Sequence, residues 1–150
     1  MSHLAQYQTE YTNQEALVRA LVRLGFQLEH IEVHEKPKIL NDYHNTNNIL
    51  ANVIIRKAHS GIPSDVGWEL KDGVFIDHTD DYDYRRGSWR ATRIYDADFQ
   101  VKLKVAYNIE VHKLILEQKG RIPIECKLPD GRIQIRCKFL TKKTEQKIKF

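Results

Sequence analysis

Thr12–Phe26 reads TNQEALVRALVRLGF, and this stretch decides the first layer of the fold. Its apolar residues recur at the i, i+3, i+4, i+7 spacing of an amphipathic helix, and they are Leu17, Ala20, Leu21 and Leu24. Thr12 and Glu15 have the spacing of a capping box, in which each side chain binds the other residue's backbone N–H group. Gly25 is placed to end the helix as its C′ residue, with Phe26 supplying the accompanying apolar contact.

Strand patterns flank this helix on both sides. Residues 3–11 alternate loosely between apolar and polar side chains and are predicted as a first strand. Residues 28–34 are predicted as a half-exposed strand, because Ile31 and Val33 point to one side and the polar residues point to the other. A polar loop rich in Asn and Asp is expected over residues 37–48.

The rest of the chain continues to alternate between strand and helix patterns. Residues 49–56 are predicted as a strand, and residues 66–76 as a hairpin around an Asp-Gly turn. A second helix is expected over 98–119, because more than 20 consecutive residues lack Gly and Pro and are too many for a typical strand. Residues 122–139 are predicted as a final hairpin around a second Asp-Gly turn.

These elements follow the order β-α-β-β-β-β-α-β-β and predict an α+β fold, a mostly antiparallel sheet with two helices on one face. Phe99–Val105 alternates as a strand would, so this segment fits either a strand or the first turns of the second helix. A single domain is expected over residues 1–140. Residues 141–150 are expected to be a basic C-terminal tail that frays.

The composition argues against several classes of protein. No apolar run approaches the roughly 18 residues of a membrane span, and the first residues lack the regions of a signal peptide. The two cysteines do not make a disulfide framework, so we expect a reducing compartment. No P-loop, G-x-G-x-x-G or G-x-S-x-G motif is present, so we expect no cofactor and favour a protein without catalytic activity.

A long polar loop is expected over residues 77–95, and loops of this length are usually functional or mobile. Arginine and aromatic residues alternate in it, and these types are enriched at the hot spots of protein–protein interfaces. The leading prediction is therefore a binding or adaptor module that acts through protein partners. Its predicted contact residues are Tyr84, Arg85, Arg86, Trp89 and Arg93. A simpler interpretation is that the arginines neutralise the aspartates before them.

A nucleic-acid partner, RNA in particular, is the first alternative. Residues 76–150 carry 17 Lys and Arg against 11 Asp and Glu, whereas residues 1–75 carry 7 against 9. Basic residues contact phosphates and aromatic residues stack on bases. The residues predicted for this role are Arg86, Arg90, Lys127, Arg132, Arg136, Lys138, Lys142 and Lys143.

A metal-dependent enzyme is the second alternative, and two groups of residues suggest it. His30, Glu32 and His34 place two imidazoles and a carboxylate on one strand face, a ligand set that suits zinc or iron. Because alternate strand residues lie about 6.5–7 Å apart, further ligands would have to come from elsewhere. The acidic cluster that could bind a divalent cation consists of Asp77, Asp80, Asp81 and Asp83. Solvated polar surface is the simpler interpretation of both groups.

Cys126 and Cys137 are predicted to share one face of the final hairpin. If the turn is Asp130-Gly131, Cys126 lies opposite Ile135 and the two cysteines are diagonal neighbours about 7–8 Å apart at Cα. That distance is marginal for a disulfide. Buried, inert thiols are the favoured interpretation.

Five short motifs give the chain a family resemblance. They are Met1-Ser2-His3, Leu24-Gly25-Phe26, Asp65-Val66-Gly67-Trp68, Val105-Ala106-Tyr107 and Asp130-Gly131-Arg132-Ile133. In this order the chain resembles, over roughly residues 1–139, the hypothetical chloroplast reading frame thirty-five family, a domain of unknown function from cyanobacteria and algal plastids. It departs at Leu4, where an aromatic residue is usual, and at Trp68, where Phe is usual.

The family resemblance implies a setting and no reaction. It implies a soluble protein of the cytoplasm or the plastid stroma. Genes of this family can neighbour an ATPase of the ring-forming class, which implies such an ATPase as a partner. The family has no established catalytic residues, so the resemblance assigns none to this chain.

Overall fold

The computed structural model describes residues 10–41, 49–61, 64–78 and 98–139. In these ranges the helices are α1 (Gln14–Leu24), α2 (Lys57–Ser60) and α3 (Phe99–Gln118), and a 3₁₀ turn covers Leu28–His30. The strands are β1 (Ile31–Ile39), β2 (Leu50–Ile55), β3 (Val66–Lys71), β4 (Val74–Asp77), β5 (Arg121–Lys127) and β6 (Ile133–Phe139). The α+β class is confirmed, and Phe99–Val105 is helical.

The strands form two separate antiparallel sheets. β1 to β4 pair in chain order, and β5 pairs with β6 alone. α1 and α3 form one layer on one face of the larger sheet. The apolar residues of the two helices and of that sheet face form the main core. Its largest fully buried members include Leu17, Leu21, Val53, Trp68, Phe99 and Leu103. The β5–β6 hairpin packs on α3, so the final hairpin extends the helical layer rather than the sheet.

Helix α1 ends as predicted but begins differently. The Phe26 and Gly25 N–H groups donate to the carbonyls of Leu21 and Val22, and Gly25 has φ 122°, which is the Schellman arrangement. The predicted capping box at Thr12 is wrong. Asn13 is the N-cap, and its Oδ1 accepts from the Ala16 N–H at 2.9 Å. Asn13 rather than Thr12 is the N-cap, and the Thr12 N–H, which a capping box would bond to Glu15, is bound by another group.

That group is the hydroxyl of Tyr107 on α3. Its oxygen accepts hydrogen bonds from the backbone N–H groups of Thr12 and Asn13, both at 2.9 Å. The Tyr107 ring also packs edge-on against Tyr11, with ring centroids 4.9 Å apart. In the described ranges, the buried Tyr11 hydroxyl has no hydrogen-bond partner. Burial first, and then the nearby Asp77, raise the pKa of Tyr11, so this hydroxyl stays neutral.

This pair of tyrosines allows a matched test. Tyr107→Phe should lower the free energy of unfolding by about 1–2 kcal/mol, because two N–H groups lose their acceptor. Tyr11→Phe should be neutral or stabilising, because it removes a buried hydroxyl without a bond. Urea denaturation followed by circular dichroism measures both. Equal losses in the two variants would contradict the assigned role of the Tyr107 hydroxyl.

Strand β1 is longer than the sequence indicates, and its start is displaced. His30 belongs to the 3₁₀ turn, so the strand begins at Ile31, and it continues to Ile39 through the segment expected to be loop. Its pairing with β2 shifts between Val33 and Lys38, which is a bulge. β1 is an edge strand, and Pro37 lies in its bulge. A proline is tolerated there because its missing N–H group is not needed for pairing with β2. The predicted break over 37–39 is therefore wrong.

Asn52 on β2 closes the gap that the bulge opens in the sheet. Its side-chain amide donates to the carbonyls of His34 and Glu35 at 3.0 and 3.2 Å. Its Oδ1 accepts from the Leu70 N–H at 2.8 Å. The side chain thus replaces ladder hydrogen bonds on both sides of β2, which explains how a buried asparagine is accommodated.

The final hairpin forms as predicted, but its register differs by one residue. Ile133 lies opposite Lys127 rather than Leu128, and Cys126 lies opposite Gln134 rather than Ile135. Because side chains alternate between faces, a one-residue shift reverses one strand relative to the other. Cys126 and Cys137 therefore lie on opposite faces, and both are half-buried free thiols. Their predicted shared face is wrong.

Parts of the prediction lie outside the described residues. Of the predicted first strand, only Tyr11 is described as paired, in a single bridge to Phe75. Most of the loop over 77–95 and the tail over 141–150 are not described. Among the described helices, none combines the length and the apolar character that crossing a membrane requires.

Candidate functional site

A groove of about 650 Å³ runs between α3 and the β5–β6 hairpin. Its walls are Val105, Asn108, Ile109 and His112 on the helix, and Asp130–Ile133 with Ile135 on the hairpin. A second hollow of about 370 Å³ continues it toward Ile115 and Leu116, and it shares His112, Ile133 and Ile135 with the first. We call these two hollows together the α3–β6 groove. It follows the helix for about three turns.

The helix presents apolar side chains on both sides, which explains why the groove is apolar. One side of α3 is buried against the sheet and α1 and includes Phe99, Leu103, Ala106 and Leu114. On the other side, Val101, Val105 and Ile115 are 65%, 54% and 42% exposed. Exposed apolar side chains on the side of a helix that faces away from the core are often covered by another element or by a partner. Within the described residues, the hairpin covers this second side only in part.

An ion-pair network fixes the hairpin beside the helix. Arg23 on α1 forms two hydrogen bonds with the Glu125 carboxylate on β5 and lies 3.4 Å from Oε2 of the buried Glu110. Lys113 lies 3.5 Å from Glu110 and 3.6 Å from Glu125. The hydrogen bonds from Arg23 lower the pKa of Glu125. These contacts join α1, α3 and β5, and they hold the hairpin against the helical layer.

The predicted protein-binding residues all lie outside the described part of the chain. They are Tyr84, Arg85, Arg86, Trp89 and Arg93, and the same applies to Arg90, Lys142 and Lys143 of the nucleic-acid set. Their predicted roles stay predictions. The α3–β6 groove was not predicted, because it depends on where the hairpin packs.

The described members of the nucleic-acid set do not share one surface. Arg136 and Lys138 point away from α3, whereas Lys127 lies on the helix-facing side of β5. Arg132 lies in the turn, where its Nε binds the Asp130 carboxylate at 2.6 Å. The basic charge of the hairpin is therefore divided between its two faces and its turn.

The first predicted metal group is only partly brought together. Glu32 and His34 are in contact, with His34 Nε2 2.8 Å from Glu32 Oε1, but His30 instead stacks on His59 at 3.6 Å between ring centroids. Burial alone would raise the pKa of Glu32, but hydrogen bonds from Arg56 and His34 lower it. The Glu32 carboxylate therefore already forms an ion pair with Arg56.

The acidic cluster is described only at Asp77, which accepts a hydrogen bond from Gln100 on α3. Asp80, Asp81 and Asp83 lie outside the described residues. Across the ranges that the structure describes, no three His, Cys, Asp or Glu side chains converge as metal ligands. Both metal groups stay predictions.

Asp65 is a buried carboxylate with three hydrogen-bond donors, and sequence reasoning assigned it no role. Its side chain is 1% exposed. Its Oδ1 accepts from the Lys57 N–H at 2.7 Å, and its Oδ2 accepts from the Asn41 N–H at 2.8 Å and from Arg56 at 2.9 Å. These bonds hold the segments after β1 and β2 against the start of β3. The role of Asp65 is structural, and the available signals were its position directly before a strand and its place in the motif Asp65-Val66-Gly67-Trp68.

The comparisons with known proteins add no further constraint. No family model, no curated protein and no solved structure matches the chain. The resemblance to the chloroplast reading frame family therefore stays a prediction.

Proposed function

We propose that this protein is a non-enzymatic binding module that holds a segment of a protein partner in the α3–β6 groove. The observation that carries this proposal is the second side of α3, where Val105, Ile109 and Ile115 face a groove instead of a core. Removing apolar surface from water is favourable, so these exposed side chains favour a peptide ligand with apolar residues. The lining combines the apolar side chains of Val105, Ile109, Ile115, Leu116, Ile133 and Ile135 with a few polar ones, which suits a peptide better than a phosphate backbone.

The setting implied by the family resemblance is part of this proposal. A cyanobacterial or plastid protein of the cytoplasm or stroma would meet its partner in a reducing compartment. A ring-forming ATPase is one candidate partner, and a segment of that ATPase would be the ligand. The loop over 77–95 remains the proposed second contact surface.

Selection from a random displayed-peptide library on the purified full chain tests the groove. We expect enriched peptides to bind the wild-type protein and to bind Val105→Glu at least tenfold more weakly, because the substitution puts a charge into the apolar wall. Val22→Glu is the matched control, since Val22 is an exposed valine on α1, away from the groove. If no peptide is enriched, or if all bind Val105→Glu normally, the proposed function is wrong.

A further inference from the structure

We infer that the groove takes an extended, acidic segment that adds to the edge of β6 as an extra strand, with apolar and acidic residues in alternation. This inference rests on the proposed function and defines the chemistry of the ligand. It depends on three features of β6: an open edge, the direction of its amide groups, and the charges on its outward face.

The edge of β6 on the groove side has no strand partner within the described ranges, where β6 pairs only with β5. Across the turn, the Leu128 N–H donates to the Arg132 carbonyl at 2.8 Å. Ladder bonds alternate along an antiparallel pair, so the N–H and C=O groups of Ile133, Ile135 and Cys137 point away from β5. A peptide strand can therefore bond to the edge through these three residues.

The side chains of the added strand would meet two different environments. Those opposite Ile133 and Ile135 would point toward α3 and pack on Val105, Ile109 and His112. The intervening ones would lie on the outward face of the hairpin. Strand pairing therefore asks for apolar residues at every second position of the ligand.

The outward face selects acidic residues at the remaining positions. Its six residues in β5 and β6 include no acid among the described side chains, and they are Ile122, Ile124, Cys126, Gln134, Arg136 and Lys138. Opposite charges on neighbouring strands stabilise a sheet, and like charges destabilise it. An acidic partner strand is favoured for this reason.

The same charges argue against a second copy of this chain as the occupant. Edge-to-edge pairing of two β6 strands would place Arg136 and Lys138 of both copies side by side on one face. Among the other sheet edges of the described ranges, that of β1 is interrupted by its bulge and by Pro37. Bulges and prolines are devices that block strand addition, and β6 has neither.

The test uses a capped, fluorescein-labelled heptapeptide of alternating glutamate and valine, with glutamate at both ends. Fluorescence anisotropy with the full-length protein measures its Kd. We expect saturable binding that weakens at least tenfold in Val105→Glu, in a version of the peptide with lysine for glutamate, and in a scrambled peptide of the same composition. Val22→Glu should bind as the wild type does.

Backbone methylation distinguishes a strand from any other bound conformation. The added strand runs antiparallel to β6, so the residues directly opposite Ile133, Ile135 and Cys137 form the hydrogen bonds, and these residues are the valines. N-methylation of the valines should therefore abolish binding, whereas N-methylation of the glutamates should change the Kd less than threefold. Failure of the heptapeptide to bind, or equal effects of the two methylation patterns, overturns the inference.

The library experiment keeps the two proposals separate. If library peptides need the groove but lack the alternating acidic pattern, only the strand inference fails, and the binding function stands. If sedimentation shows a dimer that Val105→Glu disrupts and acidic peptides do not compete with, the occupant is a second copy and the inference is wrong.

Discussion

Asp65→Ala is expected to lower the free energy of unfolding by about 2–4 kcal/mol, because it removes the acceptor of three hydrogen bonds in a buried position. Two of these donors are the backbone N–H groups of Asn41 and Lys57, and a buried N–H group without a partner costs about 1–3 kcal/mol. The third is Arg56, which would keep its bonds to Glu32 and the Ile39 carbonyl. Urea denaturation of the full chain measures the change.

Two further variants sharpen the Asp65 experiment. Asp65→Asn keeps one carbonyl oxygen, so about half of the loss should be recovered. Glu29→Ala removes an exposed carboxylate from the 3₁₀ turn and should change the stability by less than about 0.5 kcal/mol. An Asp65→Ala protein within 0.5 kcal/mol of the wild type would show that the three bonds contribute no net stability.

Arg23→Met is expected to lower the free energy of unfolding by about 2 kcal/mol and to loosen the hairpin selectively. Methionine keeps the apolar stem, but Glu110, whose side chain is 6% exposed, is left with Lys113 alone. Breaking a buried ion pair costs about 3–5 kcal/mol, and the 26% exposure of Arg23 together with the remaining lysine reduces this figure. Hydrogen exchange should quicken in β5 and β6 and stay unchanged in β2 and β3.

Arg19→Met is the matched control for Arg23→Met. Arg19 lies one turn earlier on α1 and pairs with Glu15 and Glu117, which are 63% and 38% exposed. Exposed ion pairs contribute about 0–1 kcal/mol, so this variant should stay close to the wild type. Equal losses in the two variants would contradict the special role assigned to Arg23.

The same network predicts a sensitivity to acid. Because Arg23 lowers the pKa of Glu125 from its usual 4.5, the folded state binds a proton less readily than the unfolded state. The stabilisation is therefore fully present above about pH 4.5 and is lost as the pH falls through the lowered value. The stability difference between the wild type and Arg23→Met should shrink over this acidic range.

Local signals in the sequence predicted most of the elements, because they depend on neighbouring residues alone. Gly25 was correctly predicted to end α1, because helices commonly end at a glycine with a positive φ angle. Asp72 and Gly73 have φ of 51° and 80°, which is the turn that an Asp-Gly pair favours. The length of the segment without Gly or Pro correctly favoured helix over strand for Phe99–Val105.

Distant contacts account for what the sequence could not predict. The prediction of a capping box at Thr12 was wrong, and the Thr12 N–H is bound instead by Tyr107, 95 residues away. The prediction that the strand ends at Pro37 was wrong, because only the sheet order shows that β1 is an edge strand. The groove lies beside a hairpin whose exact register differs by one residue from the predicted one, and whose β5 strand is bonded to α1 through Arg23 and Glu125, 102 residues apart. Neither feature leaves a mark in the local pattern.

The bond between Tyr107 and the start of α1 also bears on the order in which the protein folds. Closing a loop of about 95 residues carries a large entropic cost that must be met before the bond can form. An eleven-residue helix such as α1 is marginal in isolation. During synthesis, the Asn13 cap can form locally, but the N–H groups of Thr12 and Asn13 cannot reach the Tyr107 hydroxyl until α3 has left the ribosome.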